Sequence, residues 1–439
     1  MREIQSPETS RREFLRVSAG AVPAALAVSG VGYAAGTDVI RVGMIGCGGR
    51  CTEAATQAMT ADAGVRLVAM GDIVMSRLQE KRKDLKAKYP EQVVVDDNHC
   101  FAGFDAYKHV IESSDVVLIA NAAKFHPMHA MAALQAGKHV FLEKPHAIDP
   151  AGIKVIQAAA ELAKQKNLCL LSGLQSRFSP GYRETIDRVH NGAIGEIIAI
   201  QETWLRAPYV LYPRTPGLTE VEYQASNQYH FHWLSGDDVP QTLIHNFDRA
   251  KWAMKEQTPV RCYGMGGRST LHGEIYGSVF DHNAVVYEFA SGIRLYAYCR
   301  TIPNCYEENS SVILGTKGRA FVTQTRIEGE TAWRYAGPGM YAAGATDNPY
   351  QIEHNELFKA IRSGQPINSG SYMVGSTMMG IIGQLSSYTG KAVAWDQAMN
   401  SDFFYPPKPE EVRADMTPPV QAGANGIYPV FTPGETKLL

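Results

Sequence analysis

Residues Ile40 to Cys51, IRVGMIGCGGRC, constrain this chain more than any other stretch. An apolar run ending in closely spaced glycines reads as a buried strand that turns sharply into a helix. Gly46 permits the tight turn, and Gly48 lets backbone approach a bound group closely. Gly49 and Arg50 follow at the helix N-terminus, where unpaired amides face negative charge. This is a shape that cradles a dinucleotide pyrophosphate. The third position of the G-x-G-x-x-G pattern is Cys51, a small thiol that still allows close helix–strand packing.

Further apolar runs follow: VRLVAMGD (65–72), DVVLIAN (115–121), HVFLEKP (139–145) and LCLLSGLQ (168–175). Helix-like stretches such as SRLQEKRKDLKAKY (76–89) and HAMAALQAG (129–137) separate them. Short apolar strands alternating with amphipathic helices predict an α/β fold with a doubly wound parallel sheet. Asp72 closes the second run about twenty residues past the glycine turn, the place of the acid that hydrogen-bonds an adenosine ribose. A carboxylate there repels a 2′-phosphate, so NAD is favoured over NADP. The other reading of Asp72 is a helix N-cap at the strand end.

After Gly181 strand-like segments succeed one another: 196–207, 260–268, 283–299 and 310–323. Asp281 to Arg300 reads as a hairpin turning at Ser291-Gly292. A second, α+β domain with a large, open, mostly antiparallel sheet is expected. Helices return at 353–364 and 376–390, the latter apolar enough for an interdomain seam. The expected organisation is a signal and linker (1–36), a nucleotide-binding domain (37–176), a substrate and oligomerisation domain (177–400) and an extended surface arm (401–439), rich in proline and glycine.

At 439 residues the chain is long enough for two domains with proper cores. Its formal net charge of −2 gives no electrostatic case for nucleic acid or an anionic membrane as the main partner. The run KRKDLKAK (81–88) reads as the solvated face of a helix. The seven cysteines are scattered and odd in number, so they are no disulfide framework; Cys299 and Cys305 are the candidate pair. Without a Cys-x-x-Cys pair, no structural zinc is expected. Residues 10–16, SRREFLR, match a twin-arginine export signal, and the apolar stretch that follows ends in small residues near Ala34 and Ala35. That stretch is shorter than the ~20 residues a membrane span needs. Export to the periplasm or beyond is therefore expected, with no membrane span.

Glu143-Lys144-Pro145 follows the run HVFL. With the glycine turn and Asp72, it resembles the Gfo/Idh/MocA family of nicotinamide-dependent oxidoreductases, over about residues 39–395. The resemblance implies a Rossmann domain for the nucleotide and a sugar or polyol lying over the nicotinamide against the second domain's sheet. It places Glu143 and Lys144 at the cofactor, with Lys144 also touching the substrate hydroxyl. Pro145 is expected to support a strained peptide, open to the cis form, that aims the lysine inward. Asn121, His126 and His129, after the fourth-strand run, would lie near the nicotinamide ribose; His129 also reads as a helix-start residue that only caps or packs. Family members carry a D-x-x-x-H pair whose histidine moves the hydroxyl proton. The matching residues are Gln241 and His245, which at i, i+4 share a helix face. Glutamine cannot ionise, so either Asp237 or Asp238 takes the carboxylate's role, or His245 and Lys144 act without it. Association through the open sheet implies a homodimer or homotetramer.

The stretch NQYHFHWLSGDD (227–238) is dense in polar and aromatic groups. As a sugar platform, Trp233 would stack on a pyranose while Asn227, His230, His232 and Asn246 bond hydroxyls; as a loop, these are exposed polar groups. Alternating His230 and His232 with Asp237 also invite a metal reading, but hydride chemistry needs no metal and none is assigned. Arg177 and Tyr182, where the chain crosses between domains, are further substrate candidates; Asn304 and Tyr306 are weaker ones. The expected activity is oxidation of a secondary hydroxyl of a sugar or glycoside by tightly bound NAD. The alternative is an NAD-dependent glycosidase of the α-N-acetylgalactosaminidase type, which oxidises its sugar transiently and eliminates the aglycone. A third reading is a sugar-binding or NAD-sensing protein.

Overall fold

The computed structural model describes residues 39–338 and 346–439; the expected export signal, residues 10–16, lies outside the described residues. In the first half, strands and helices alternate: β1 (Ile40–Ile45), α1 (Gly49–Ala61), β2 (Val65–Asp72), α2 (Met75–Lys88), β3 (Cys100–Ala102), α3 (Ala106–Ser113), β4 (Val116–Ile119), α4 (His126–Gln135), β5 (His139–Leu142), α5 (Pro150–Gln165) and β6 (Leu170–Ser172). The six strands are parallel, in the order β3-β2-β1-β4-β5-β6. Both faces are covered by helices, so strand interiors such as Val116–Ile119 are apolar and buried throughout. The strand order reverses between β1 and β4, and a crevice opens there at the carboxyl ends. In α2 only Leu78 and Leu85 are buried, so the run of lysines is the solvated face expected.

The second half starts with α6 (Pro180–His190) and β7 (Ile197–Leu205). Short helices α7 (Glu220–Ser226), α8 (His232–Ser235) and α9 (Asp238–Gln241) lead to α10 (Ile244–Ala253). Strands β8 (Arg261–Gly267), β9 (His282–Glu288), β10 (Arg294–Arg300), β11 (Glu308–Gly315), β12 (Gly318–Phe321), β13 (Arg326–Gly329) and β14 (Trp333–Arg334) follow. Then come α11 (Pro349–Ser363), α12 (Gly370–Thr389), β15 (Val393–Ala394) and α13 (Trp395–Asn400). The nine-stranded sheet runs β14-β13-β12-β11-β7-β10-β9-β8-β15. Every pair is antiparallel except β7–β10. β9 and β10 form the expected hairpin, with Gly292 at φ +85° in its turn.

Three features depart from the sequence reading. Helix α11 returns to the first half: Leu357, Phe358 and Ile361 join the core formed by β1, α1 and β2, and Arg362 pairs with Asp62 of α1's C-cap at 2.8 Å. Residues 177–400 are therefore not one continuous domain. The arm after residue 401 is extended but not superficial, because Tyr405, Val412, Val420 and Tyr428 are buried in the main core. Its backbone is anchored by Lys124 Nζ on the Tyr405 carbonyl (2.6 Å) and Gln224 Nε2 on the Val420 carbonyl (2.7 Å). Finally, Cys299 and Cys305 are free thiols, one buried and one exposed. Helix α12 is buried almost along its whole length and packs against α5 and β8, the seam position its apolar sequence predicts. No helix among the described residues is long and apolar enough to cross a membrane.

Candidate active site

The crevice at the carboxyl ends of β1, β2 and β4 is lined by Gly46, Gly48, Gly49, Arg50, Asp72 and Asn121. Gly46 sits at φ +94°, and a Cβ there would lie 3.1 Å from the Ala120 carbonyl. Only glycine makes this turn without strain. At Gly48 and Gly49 a Cβ would meet nothing within 4 Å, so the α1 N-terminus is open to the crevice. Buried Cys51 fills the third motif position, and burial pushes its thiol up to about 12, leaving a neutral packing group. Asp72 is not the N-cap of the following helix, a place that Val74 takes. It lines the crevice, and its carboxylate also accepts the N–H groups of Cys47 (2.7 Å) and Val74 (2.9 Å), with Arg77 3.4 Å away.

Four buried polar atoms along this crevice have no partner among the described residues: Asn121 Oδ1, His129 Nε2, Ser226 Oγ and Gln228 Oε1. Buried polar groups are normally satisfied, so a cleft walled by unsatisfied ones is shaped for a polar ligand. The open glycine turn, the helix N-terminus and these atoms fit a dinucleotide. The ring of His129 stacks on Tyr107 at 4.2 Å, and burial pushes its pKa down to about 3, so it is a neutral wall. His126 is not on the cleft. Its two nitrogens face the carbonyls of Pro145 (2.7 Å) and Asn121 (3.1 Å), pinning the loops after β5 and β4 together.

A second cavity adjoins the first and shares its walls Arg50, Ala120, Asn121, Gln228 and Tyr229. Lys144 projects into it, and the Lys144–Pro145 peptide that follows is cis. Its Nζ donates to the backbone carbonyl of Gln241 at 2.9 Å. Glu143 accepts from Arg50 Nε (2.6 Å) and from the Lys144 N–H (3.0 Å), so it sets the backbone that carries the lysine. Burial works against the Arg50 charge, but Glu143 and buried Glu353 outweigh it and keep the guanidinium ionised. Gly173 leaves room for this arrangement; a Cβ there would lie 2.8 Å from the Glu143 carboxylate. The rest of the lining is mostly aromatic or amide, with Gln175, Trp204, Tyr209, Tyr229 and Tyr350 beside Ala123. Sequence reading missed these residues. The aromatic density of TWLRAPYVLYP just past β7 was the available signal.

His245 lines this cavity and packs on Trp204 with ring centroids 5.7 Å apart. Burial, then Lys144 and Arg249, hold its pKa well below the usual histidine range. Among the described residues, none of the charges acting on it is a carboxylate. Gln241 and His245 do not share a helix, because α9 ends at Gln241 and α10 begins at Ile244. The Gln241 side chain turns away to the Ser235 carbonyl (3.0 Å), and its own carbonyl is what reaches the site. Asp237 does not replace the missing carboxylate. It is fully buried at φ +71°, accepting the N–H groups of Asp238 and Phe280 and the Tyr388 hydroxyl. Asp238 pairs instead with Arg206 (2.7 Å).

The expected sugar platform is not one. Gln228–His230 is a 3-10 turn and His232 starts α8, so the histidines do not alternate along a strand. Trp233 is wholly buried, with Nε1 on Gln224 (2.7 Å). Asn227 bonds the Tyr212 N–H and the Ile275 carbonyl, His232 bonds Ser278, and buried Asn246 donates to Glu202 and to the Ser310 carbonyl. His230 is buried near the site without lining it. Arg177 is committed to a bidentate pair with Asp248 and to Glu256. Tyr182 borders a separate hollow with Thr325 and Tyr335, and Tyr306 is exposed on the surface beyond β10 with Asn304. Among the described residues no His, Cys, Asp or Glu side chains gather into a metal-binding group.

A family model described as "Oxidoreductase family, NAD-binding Rossmann fold" matches residues 40–173. Among curated relatives, the myo-inositol 2-dehydrogenase of Thermotoga maritima is 26% identical over 74% of this chain and 90% of its own. The scyllo-inositol 2-dehydrogenase (NAD(+)) of Bacillus subtilis is 26% identical over 65% of this chain and 75% of its own. Among solved structures, a levoglucosan dehydrogenase in complex with NADH and levoglucosan superposes with a TM-score of 0.63 at 18% identity, covering 82% of this chain and 100% of that one. The aldose-aldose oxidoreductase of Caulobacter crescentus superposes with a TM-score of 0.62 at 18% identity, covering 81% and 99%.

Proposed function

We propose that this chain, whose residues 40–173 match the NAD-binding Rossmann model of the Gfo/Idh/MocA oxidoreductases, oxidises a secondary hydroxyl of a neutral sugar or cyclic polyol. The observation that carries this is Lys144, held by the Gln241 carbonyl in a cavity of aromatic and amide side chains that opens onto the nucleotide cleft. Aromatic faces stack on the apolar face of a ring, and amides bond its hydroxyls. The relatives named for inositols and for levoglucosan act on such compounds. Bound NAD supplies the hydride acceptor. Lys144 then stabilises the oxygen as it gains negative charge, and the ring walls orient the carbon that reacts.

Lys144→Met is expected to lower turnover by about 10²–10⁴-fold while NAD titration stays unchanged. Wild-type turnover in that variant contradicts the proposal. The glycosidase alternative predicts release of aglycone from aryl glycosides without net NADH, which the same preparation tests. Export by the twin-arginine route rests on SRREFLR (10–16). Changing Arg11 and Arg12 to lysine should leave the protein in the cytoplasm on cell fractionation, and an unchanged distribution refutes it. Self-association through the nine-stranded sheet is supported by its uncovered face, where Tyr263, Met265, Tyr298 and Leu314 are exposed.

A further inference from the structure

We propose that the substrate's hydroxyl proton leaves through Tyr209 and Thr242 to Asp238, a relay that does the work of the broken carboxylate–histidine pair. This rests on the oxidoreductase reading and adds its proton path. Tyr209 lines the cavity, with its Oη 3.1 Å from Thr242 Oγ1. Thr242 Oγ1 donates to Asp238 Oδ1 at 2.6 Å. Because the threonine's proton is committed to the carboxylate, its lone pairs accept from Tyr209 and from Arg206 Nη2 (2.9 Å). The hydrogen bonds therefore run in one direction, from cavity to carboxylate.

The near end of the relay is in the right place. Tyr209 Oη is 3.4 Å from the Gln241 carbonyl, the same oxygen that holds Lys144 Nζ at 2.9 Å. A hydroxyl bound to Lys144 is thus within reach of Tyr209. The far end is a buried carboxylate whose Oδ2 has no hydrogen-bond partner among the described residues. Arg206 bonds Asp238 Oδ1 at 2.7 Å and lies 3.5 Å over the Tyr209 ring. The other groups facing Asp238 are Asp237, which is held by Phe280 and Tyr388, the Cys299 thiol, which burial keeps neutral, and His230, whose pKa burial pushes down to about 4.

The step balances. The C–H bond breaks as its hydride passes to NAD, and C–O becomes C=O. The hydroxyl proton goes to Tyr209 Oη, the Tyr209 proton to Thr242, and the Thr242 proton to Asp238, which ends neutral. His245, near cations and without a carboxylate, is left to orient the hydroxyl.

The test is rapid mixing of NAD-loaded protein with a panel of inositols and aldopyranoses, following NADH formation in H2O and D2O mixtures. Wild type should show a curved proton inventory, the mark of several protons in flight. Tyr209→Phe and Thr242→Val should each slow NADH formation by about 10²-fold and lose the curvature, with NAD affinity unchanged. His245→Asn should raise KM yet keep the curvature. If Thr242→Val retains both wild-type rate and curvature, the relay is wrong and the oxidoreductase reading survives. Should Thr242→Val fail to fold, Tyr209→Phe decides in the same way. No NADH from wild type with any of the panel overturns the reading and the relay together.

Discussion

Trp204 and Trp233 are the same residue type with opposite duties. Trp204 lines the cavity beside His245, whereas Trp233 is sealed in the core with its N–H on Gln224. Trp233→Ala should therefore destabilise by about 3–5 kcal/mol in denaturant unfolding. Trp204→Ala should instead raise the KM for the sugar with a much smaller loss of stability. The reverse pattern would place the sugar on the wrong tryptophan. Gly173 has a sharper constraint. A methyl there meets the Glu143 carboxylate at 2.8 Å and displaces it from Arg50 and from the Lys144 N–H. Gly173→Ala should lower kcat more than NAD affinity, and an unchanged kcat would show that Glu143 does not set the lysine.

Among the elements, the break between α9 and α10 does the most for the site, because it frees the Gln241 carbonyl for Lys144. The C-terminal arm also contributes to the main core. Deleting residues from Phe403 onward removes five buried side chains, Tyr405, Val412, Pro418, Val420 and Tyr428. That deletion should lower Tm by more than about 10 °C, or leave the protein insoluble, given several kcal/mol of lost burial. A shortened protein with the wild-type Tm would make the arm dispensable. The parallel strands, the hairpin and α12 were legible because hydrophobic periodicity reports burial locally. So were the glycine turn and Lys144, because each lies in a short contiguous motif, although the partner of Lys144, Gln241, is distant in sequence. The segment 227–238 was not, because its partners are distant: Asn227 bonds Ile275, His232 bonds Ser278, and Asp237 holds Tyr388. Its polar density serves the fold rather than the sugar. Arm and domain boundaries failed for the same reason, since α11 and the arm return to cores built by residues far away in sequence.

Over the whole molecule, burial depresses the pKa of His126, His129, His139, His146, His230, His232, His245 and His354. Unfolded, these residues titrate near 6.5. Between that value and their folded values the unfolded chain binds more protons. Their contribution to stability is thus complete above about pH 6.5 and is lost as pH falls toward 4. Glu202 and Asp237, pushed up to about 7 by burial, act oppositely, their contribution being complete below about 4 and lost as pH rises through 7. Burial raises Glu353 and Asp149 as well, but eight histidines outweigh four carboxylates, so Tm should fall as pH is lowered from 7 to 5; a level Tm would contradict that burial pattern. On the outer sheet face, Met265 is 73% exposed and shares a row with Ala284 and Tyr298. The proposed self-association through this face predicts that Met265→Glu reduces the mass found by light scattering, and an unaltered mass would contradict it. The measurement that bears most directly on the central claim takes purified protein with no added cofactor. Inositols, aldoses and aryl glycosides are added while nicotinamide absorbance and aglycone release are followed together. Hydride transfer from a polyol predicts one stoichiometric round of NADH formation, which resumes only when an electron acceptor is supplied. Catalytic aglycone release with no net NADH would contradict it.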